Sequence, residues 1–382
     1  MDSVTQAVLG AGVGVAVMGR RVGPRRAAVA GAVLGTLPDL DVFIPSPGPV
    51  ESFVGHRGPS HSILVQAVAT PLIGELLMRI LRELRDARLL AYLAVYLCLA
   101  THALLDAMTV YGTRLFWPVL EGPVGVGSVF IIDPLYTLPL LAVFVWALFL
   151  GRWTRRFGRA VTVCLGLSTA YLGWSVAAQA LVAQRAEAML AEAGVRHVRM
   201  LVTPTPFNTL FWKVVALDGD RYLNLYLPVF GDGRSSAYAY PSGIRLAACL
   251  SGVPAFERLA AFSRGFYRLE RMPDGRIGFA DLRMGLTPNY SFRFAVAREG
   301  EDGTVHPVPP ERLSRSRRAP GDLGWLLAAL RGDIRPRPAE AEAAIALTGP
   351  RAAAAGPPPL IECRRPAGGP VGAARTAQPV TQ

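Results

Sequence analysis

The segment LLAYLAVYLCLATHALLDAM at Leu89–Met108 decides the fold of this chain. It has the roughly 20 mostly apolar residues that a membrane-spanning helix needs. It also carries His102 and Asp106 four positions apart, so a helix places both side chains on one face. Because ionisable residues are costly in a bilayer, they tend to face a bundle interior and to mark function. The segment therefore predicts a membrane helix that contributes to a polar site.

Apolar runs of similar character lie on both sides of this segment. The chain is 51% hydrophobic and 18% charged, with a mean hydropathy of +0.32, whereas average soluble proteins carry roughly 25% charge. We expect an α-helical integral membrane domain of about six segments over residues 1–183. The first two segments are short and rich in glycine and alanine, so they are expected to pack tightly, tilt or enter without fully spanning. Besides Leu89–Met108, the six segments in chain order include Val4–Met18, Ala27–Phe43, Ser62–Leu81, Val129–Leu150 and Ala160–Val182.

The charge of the chain has two interpretations. A net charge of +12 and a pI near 10.1 are also found in proteins that bind nucleic acid. Here the arginines lie in short loops between apolar segments and in the C-terminal tail. The lipid bilayer is therefore the expected partner, and nucleic acid is not. Lys213 is the only lysine, which indicates a general bias of composition toward arginine.

Arginine clusters follow the first, third and fifth apolar segments. Because successive loops alternate sides, these clusters share one side, which the positive-inside rule assigns to the cytoplasm. The loops at 38–61 and 109–128 then face the extracytoplasmic side, together with the N-terminus and everything after Val182. The clusters contain Arg20, Arg21, Arg25 and Arg26, then Arg79, Arg82, Arg85 and Arg88, then Arg152, Arg155, Arg156 and Arg159.

After residue 183 the long apolar runs end and the hydrophobic pattern changes. Runs such as TLFWKVVAL, RYLNLYLPVF and YSFRFAVA are separated by the turn signals DGD, GDG and PDG, a pattern typical of antiparallel hairpins. Helices are expected at Pro254–Ser263 and Gly321–Arg331. The sequence thus predicts a small, mainly β (α+β) extramembrane domain over residues 184–332. Residues 333–382 are dominated by proline, alanine, glycine and arginine, so we expect a disordered tail there.

A histidine-rich turn lies in the first extracytoplasmic loop. His56 and His61 bracket Arg57 and a Gly-Pro-Ser sequence that favours a turn, and a turn can aim both imidazoles at one point. The guanidinium of Arg57 suits a phosphate or a developing oxyanion. The alternative interpretation is an ordinary polar loop at a membrane surface.

Two aspartates precede this turn in the motif LPDLD. Asp39 and Asp41 can supply oxygen ligands to one or two cations, and one of them can act as a general base. Alternatively, they are simply aspartates at a helix end. For His102 and Asp106, the alternative is a buried hydrogen bond that only stabilises packing. Asp133 is expected to be structural, and Tyr111, Phe116 and Trp117 are expected in an interfacial aromatic belt.

Together these residues have the composition of a metal site, because imidazoles and carboxylates suit zinc, and also manganese or iron. The sequence lacks a Walker loop, a dinucleotide fingerprint and a G-x-S-x-G elbow. A membrane-embedded metalloenzyme is therefore the leading hypothesis. A transporter or metal-binding sensor, and an assembly factor whose β domain binds a partner, are the alternatives. The expected metal ligands are His56, His61, His102, Asp106, Asp39 and Asp41, and the expected catalytic residues are Asp39, Asp41 and Arg57.

The chain resembles the YdjM-like family of membrane-bound, metal-dependent hydrolases of bacteria. The resemblance rests on MDSVTQAVLG, GTLPDLDVF, GHRGPSHS and THALLDAMTVYGTRLFWP running on to IIDPLYTLPLL, and on TPTPFNTLFWKVVA, FSRGFY and DLRMGLTPNYSF in the extramembrane part. It covers most of residues 1–298.

This resemblance implies an integral inner-membrane protein that uses a divalent metal to hydrolyse its substrate. A distant likeness of such sites to zinc-dependent phospholipase C implies phosphoester cleavage. The motif residues of the family correspond here to Asp39, Asp41, His56, Arg57, His61, His102 and Asp106. Other branches carry a histidine where this chain has Gln6, so their metal count and identity do not transfer directly.

Overall fold

The computed structural model describes residues 1–231, 237–314 and 319–345. A helical region comes first and a mainly β domain follows it. The helices of the first region are α1 (Ser3–Val22), α2 (Pro24–Thr36), α3 (Pro49–Gly55), α4 (Ile63–Ile80), α5 (Arg88–Ala107), α6 (Pro134–Phe149) and α7 (Arg155–Glu192). Short 3-10 turns lie at Leu37–Phe43, Pro59–His61 and Arg82–Leu84.

Side-chain caps explain where several of these helices begin. The carboxylate of Asp133 accepts hydrogen bonds from the amides of Leu135 and Tyr136 at the start of α6. Ser62 caps α4 and Thr154 caps α7 in the same way. Such caps satisfy amides that have no partner within the helix and typically contribute about 1 kcal/mol each. Asp133 therefore has the structural role expected for it.

Three helices in the described part of the chain are long and apolar enough to cross a membrane: α4, α5 and α7. Helix α6 is apolar but shorter, with 16 residues. Six membrane segments are therefore not confirmed. Helix α2 has 13 residues and, at 1.5 Å per residue, is about 20 Å long, short of the ~30 Å hydrocarbon core.

Helix α4 presents an apolar stripe outward. Its side chains Val68, Leu72, Leu76 and Ile80 recur every fourth residue and are all exposed. In water, an amphipathic helix turns its apolar stripe inward to a core. The outward stripe indicates that lipid covers this face.

Glycines bring α1 and α2 into backbone contact. A Cβ atom on Gly10 would lie 2.3 Å from the carbonyl oxygen of Gly31, and one on Gly14 would lie 2.8 Å from that of Ala27. Only glycine permits this approach, as in other closely packed membrane helix pairs. The pair packs against α5 and α6, and α2 leads directly into the turn Leu37–Phe43. The glycines thereby determine where the aspartates of that turn lie.

The β domain contains two antiparallel sheets. The elements of this domain are β1 (Arg199–Pro204), β2 (Phe211–Asp218), β3 (Arg221–Pro228), β4 (Ala237–Pro241), a 3-10 turn (Ile244–Ala248), α8 (Pro254–Phe262), β5 (Tyr267–Arg271), β6 (Arg276–Asp281), β7 (Gly285–Leu286), β8 (Asn289–Tyr290), β9 (Arg293–Glu299), β10 (Val305–Arg312), α9 (Asp322–Leu330), a 3-10 turn (Pro338–Ala343) and β11 (Ala344–Ile345). The strand order of the first sheet is β1-β2-β3-β4-β11 and that of the second is β10-β9-β6-β5, while β7 and β8 form a small hairpin. The expected mainly β domain is confirmed.

Two packing contacts fix this domain on the helical region. Helix α7 continues beyond its apolar half, and its buried residues Ala178, Val182, Ala186 and Leu190 pack against the first sheet. Helix α3, from the first polar loop, inserts Val50 into the core formed by α8 and the second sheet. The β domain therefore sits directly over the loops that carry the predicted site.

The folded domain extends beyond the boundary expected at residue 332. Strand β11 pairs with β4, and Arg337 and Glu340 are buried. Arg337 forms two hydrogen bonds with Asp322, and the hydroxyl of Tyr226 donates to Glu340 at 2.6 Å. The boundary at 332 is therefore too early, because a network of buried ion pairs holds a proline-rich segment that composition alone assigned to the tail. The rest of the expected tail, residues 346–382, lies outside the described residues.

The helix pair provides a first prediction. Replacing Gly31 by alanine puts a methyl group where only 2.3 Å separates it from the Gly10 carbonyl oxygen, so the two backbones must move apart. We expect a loss of about 1–3 kcal/mol of stability, measured as a lower midpoint of thermal unfolding in detergent. Gly166→Ala on α7 is the matched control, because nothing lies within 4 Å of its Cβ position. Equal midpoints for Gly31→Ala and wild type would contradict the packing argument.

Candidate metal centre

Four predicted ligands converge on one point in the structure. Asp39, His61, His102 and Asp106 each offer one ligand atom, and these atoms all lie within 4.8 Å of one another. The side chains of His61, His102 and Asp106 have no exposed surface, whereas that of Asp39 is 19% exposed. The cluster is therefore buried and opens on the side of Asp39.

Three separate segments supply these side chains. Asp39 lies in the 3-10 turn that follows α2, and His61 ends the turn at Pro59–His61. His102 and Asp106 lie one turn apart on the buried face of α5. The prolines at the start of both turns have a fixed φ that suits the first position of a helical turn. Residues far apart in the chain thus meet because two rigid turns face one helix.

Hydrogen bonds fix the tautomers of both histidines. The Nδ1 of His102 lies 2.6 Å from the carbonyl oxygen of Gly35, which can only accept, so Nδ1 carries the proton. The hydroxyl of Ser60 donates to Asp41 at 3.0 Å and therefore accepts from the Nδ1 of His61 at 2.9 Å. In the neutral imidazoles, both Nε2 atoms consequently present lone pairs.

These lone pairs point at each other. The two Nε2 atoms are 3.1 Å apart, and Asp39 Oδ1 lies 3.5 Å from each of them. Asp106 Oδ2 lies 3.4 Å from the Nε2 of His61 and 3.8 Å from that of His102. Four electron-pair donors around one buried point repel unless a cation lies among them.

The spacing of the donors suits a small metal ion. Zinc binds imidazole nitrogen and carboxylate oxygen at about 2.0–2.1 Å in a tetrahedron, which places neighbouring donors about 3.3 Å apart. The donor distances given above, from 3.1 to 3.8 Å, bracket that value. The residues present therefore fit a divalent cation.

The pKa values of the site residues also indicate that the cluster favours positive charge. Burial favours the neutral acid of Asp39, but the facing imidazoles of His102 and His61 outweigh it and hold the pKa of Asp39 below its usual range. Burial likewise opposes protonation of His61, but Asp106 and Asp39 outweigh it and raise its pKa. The carboxylates thus stay ionised and attract a cation to the imidazoles.

Arg57 adds a fixed positive charge beside the cluster. Its Nε lies 3.0 Å from Asp106 Oδ2, and its Nη1 donates to the hydroxyl of Thr109 at 2.9 Å. Its backbone has φ 63°, a left-handed conformation that costs a non-glycine residue about 1–2 kcal/mol. The amide of Arg57 donates to Asp41 at 3.1 Å, a bond that helps to hold this conformation. Such strain persists where surrounding contacts impose it, often at functional sites.

The other two predicted ligands, His56 and Asp41, lie beside the four-residue cluster and contact each other. The Nδ1 of His56 is 2.7 Å from Asp41 Oδ1. Asp41 also accepts from Ser60 and from the amide of Arg57, so it links the histidine turn to the cluster through His61. The six predicted ligands thus divide into four that converge and a pair that supports them.

Gln6 is a site residue that the motif reasoning did not predict. It is fully buried on α1, and its Nε2 donates to Asp106 Oδ1 at 3.1 Å and to the carbonyl of His102 at 3.3 Å. The terminal ammonium of Met1 contacts the same carboxylate oxygen. The sequence signal for this residue is the opening motif MDSVTQAVLG, which contains Gln6.

A cavity of about 740 Å³ adjoins the cluster. Its polar end is formed by Asp41, His56 and Arg57, and the β domain contributes Phe262, Met284, Phe292 and Arg312 to its wall. Tyr111 lines it too, and its hydroxyl has no hydrogen-bond partner among the described residues. Tyr111 is 8% exposed and packs edge-on against Phe53 and Phe292. Its expected place in an interfacial belt is therefore wrong, because the β domain covers it.

Comparisons with known proteins show what the helical region is similar to. The sequence profile of the YdjM inner membrane proteins matches residues 1–182, which contain all four converging ligands. The inner membrane protein YbcI of Escherichia coli (strain K12) is 37% identical over 101 residues. That match covers 26% of this chain and 57% of the relative, so it spans little more than half of the relative's length. No solved structure matches the chain. Over residues 1–182, the helical region of this chain is therefore similar to the YdjM inner membrane proteins.

Proposed function

We propose that this protein is a membrane-bound hydrolase that uses a divalent metal ion, zinc in the first instance, to cleave a phosphoester. The observation that carries the proposal is the pair of imidazole lone pairs 3.1 Å apart, with two carboxylates around them. With both imidazoles neutral, four acceptors face one another, and a bound metal ion or an added proton on His61 relieves this arrangement. Manganese and iron bind similar donors and are the alternatives.

The residues of the cluster and of its surroundings have different proposed roles. Asp39, His61, His102 and Asp106 would hold the metal, which when bound lowers the pKa of a coordinated water to near 7 and so supplies a nucleophile. Asp41 acts through Ser60 to hold the imidazole of His61 in the ligating tautomer, a contribution typical of residues behind a ligand. Asp39 and Asp41 are also the carboxylates at the open side, and because their pKa values are lowered they stay ionised and can accept a hydrogen bond from an incoming water.

Arg57 is proposed to bind the anionic group of the substrate. It lines the cavity next to the cluster, and its guanidinium is held by Asp106 and Thr109, so little reorganisation is needed when charge develops. Arg114 and Arg312 line the same cavity. Three arginines and a largely apolar wall with four aromatic rings suit a phosphoester attached to an apolar body, as in a lipid headgroup.

The depth of the site supports a lipid substrate. Asp106 is near the end of α5, one of the three apolar helices, so the cluster lies where the membrane helix gives way to loops. The arginine-rich loops assign the opposite ends of these helices to the cytoplasm. We therefore place the site and the β domain on the extracytoplasmic face.

One observation favours a second function. Four protein donors can saturate a tetrahedral zinc, and closed sites of this kind are usually structural, whereas catalytic sites keep a position for water. A non-catalytic metal-binding protein, such as a sensor, would use the same four residues. Turnover distinguishes the two.

Metal content is the first test of the proposal. His102→Ala removes a ligand whose lone pair no other side chain replaces, so we expect bound metal in the purified protein to fall at least about tenfold, measured by elemental mass spectrometry. His61→Ala is expected to do the same. His306→Ala, an exposed residue on β10, is the control and should keep the wild-type metal content. Stoichiometric metal in both ligand variants would refute the assignment.

Activity is the second test. Metal-replete protein in lipid nanodiscs is assayed with a phosphodiester, a phosphomonoester and a phospholipid, and we expect turnover of the phospholipid. Arg57→Gln should retain metal but lose roughly 100- to 1,000-fold in kcat/KM, because a positioned donor to the developing charge is gone. The exposed Arg298→Gln, in the β domain, is the control. Full metal without turnover of any substrate would decide for the non-catalytic alternative.

Orientation is tested with single cysteines in a background whose own cysteines are replaced by alanine. The two variants are Glu121→Cys and Asp86→Cys. Glu121 lies in the loop after α5 and Asp86 in the loop after α4, and both side chains are exposed. A membrane-impermeant maleimide should label position 121 in intact spheroplasts and position 86 only after permeabilisation. Labelling of both positions from the same side would overturn the proposed topology.

A further inference from the structure

A second cavity, of about 350 Å³, lies between the β domain and the loop that precedes α6. Most of its wall is apolar, yet two cationic side chains, Lys213 and Arg283, line it as well. Both are almost completely buried, at 2% and 3% exposure. The apolar part of the wall includes Phe130, Ile131, Phe207, Met284, Trp325 and Leu326.

Lys213 is the only lysine of the chain and lies on β2. Its Nζ donates to the carbonyl oxygens of Leu282 and Gly285 at 3.1 and 3.0 Å, and it lies 4.8 Å from the ring centre of Tyr290. These two bonds use two of the three N–H groups of an ammonium. Burial lowers the pKa of Lys213 to about 7, because the groups around the ammonium do not fully replace the solvation it loses.

The loop that receives Lys213 requires a glycine. Gly285 has φ 102°, and a Cβ atom there would lie 2.8 Å from the carbonyl oxygen of Asn289. Glycine thus lets the backbone turn its carbonyl toward the ammonium. The position of the lysine head group is therefore fixed by the fold, at the wall of the cavity.

Arg283 has one unused donor at the same cavity. Its Nε and Nη2 bind Asp281 at 3.0 and 2.7 Å, whereas its Nη1 is buried and has no hydrogen-bond partner among the described residues. The guanidinium lies 4.6 and 4.8 Å from the ring centres of Tyr111 and Phe262, which hold its plane. An unpaired N–H of a buried cation is costly, and an anionic acceptor would satisfy it.

Exposed apolar side chains line the cavity as well. Ile132, Phe207 and Leu323 belong to its wall and are 42%, 42% and 65% exposed. Ile132 immediately precedes Asp133, the residue that caps the apolar helix α6. The cavity thus lies at the level where that helix begins, so a molecule with an apolar chain can reach it from the membrane surface.

We propose that this cavity is a second binding site, distinct from the metal centre, for a single-chain amphiphile with an anionic head group. The carboxylate or phosphate lies against Lys213 Nζ and Arg283 Nη1, and the chain lies against the apolar wall. The proposal does not depend on hydrolysis. Ile131 and Met284 line both cavities, so the bound molecule would share a wall with the cavity of the metal centre.

The alternative is that Lys213 merely ties down the loop at Leu282–Gly285. The two roles differ in how the lysine responds to an anion. A bound anion stabilises the ammonium and raises its pKa, whereas a purely structural lysine keeps its pKa when amphiphile is added.

The experiment uses the full-length, delipidated protein in a neutral maltoside detergent, with carbon-13 in lysine only. Because the chain has one lysine, its side chain gives one signal whose pH titration reports its pKa. The probes are dodecanoate and dodecyl phosphate, with acetate and inorganic phosphate as controls without a chain. We expect either amphiphile to raise the lysine pKa by about 1 or more, and the controls to leave it unchanged.

Response to dodecanoate alone would identify fatty-acid-like ligands, and response to dodecyl phosphate alone would identify lipid phosphates; both outcomes support the site. Affinity for the active amphiphile should fall about tenfold or more in Lys213→Met and Arg283→Gln, and stay unchanged in Arg298→Gln. A lysine pKa that neither amphiphile moves would overturn the proposal, even if a variant fails to fold. An equal response to acetate or inorganic phosphate would overturn the role of the apolar wall.

Discussion

The structure depends on the contact between His61 and His102. Their Nε2 atoms lie 3.1 Å apart in a site without solvent exposure, and backbone and side-chain partners hold both Nδ1 protons on the far side. With both imidazoles neutral, such a contact raises the free energy of the fold, and a metal ion or an added proton between the nitrogens relieves it. The turns of Asp39 and His61 and the helix α5 meet at this point, so a metal ion bound by the cluster would couple its binding to the packing of these segments. The glycine contact between α1 and α2 sets the position of the Asp39 turn and thus belongs to the same constraint.

The sequence predicted those parts of the fold that leave a local pattern. Long apolar runs predicted α4, α5 and α7, and alternation with turn signals predicted hairpins such as β2–β3, which turns at Gly219 with φ 58°. The sequence pattern did not predict strand β10, because Val305–Arg312 contains three prolines. Proline lacks an amide donor and suits only an edge strand with a bulge. The short α2 agrees with the expectation from its glycine- and alanine-rich sequence, whereas the order beyond residue 332 could not be foreseen, because contacts distant in sequence hold that segment.

The sequence likewise predicted those features of the candidate site that depend on local properties, and it did not predict those that depend on distant contacts. The ligand types and the His102–Asp106 pair were visible because residue identity and helical spacing are local properties. The separation of His56 and Asp41 from the four converging residues was not visible, because it depends on which way a strained turn at Arg57 points. Gln6 and Tyr111 were overlooked for a related reason: each acquires its role only through a partner about a hundred residues away or more, Asp106 for the first and the rings of the β domain for the second.

The two regions of the chain contribute different things to the site. All four converging ligands lie within residues 1–182, where the family match ends, whereas Phe262, Met284 and Phe292 of the cavity wall lie beyond it. Without the β domain, the cluster would open through Asp39 to whatever surrounds the loops. With it, Arg57 lines a cavity whose wall includes Tyr111 and Phe262, the two rings that contact Arg283. The helical region thus supplies the group of side chains that could hold a metal ion, and the β domain supplies part of the neighbouring cavity wall. Two proteins with the same ligands can therefore differ in substrate when their extramembrane parts differ.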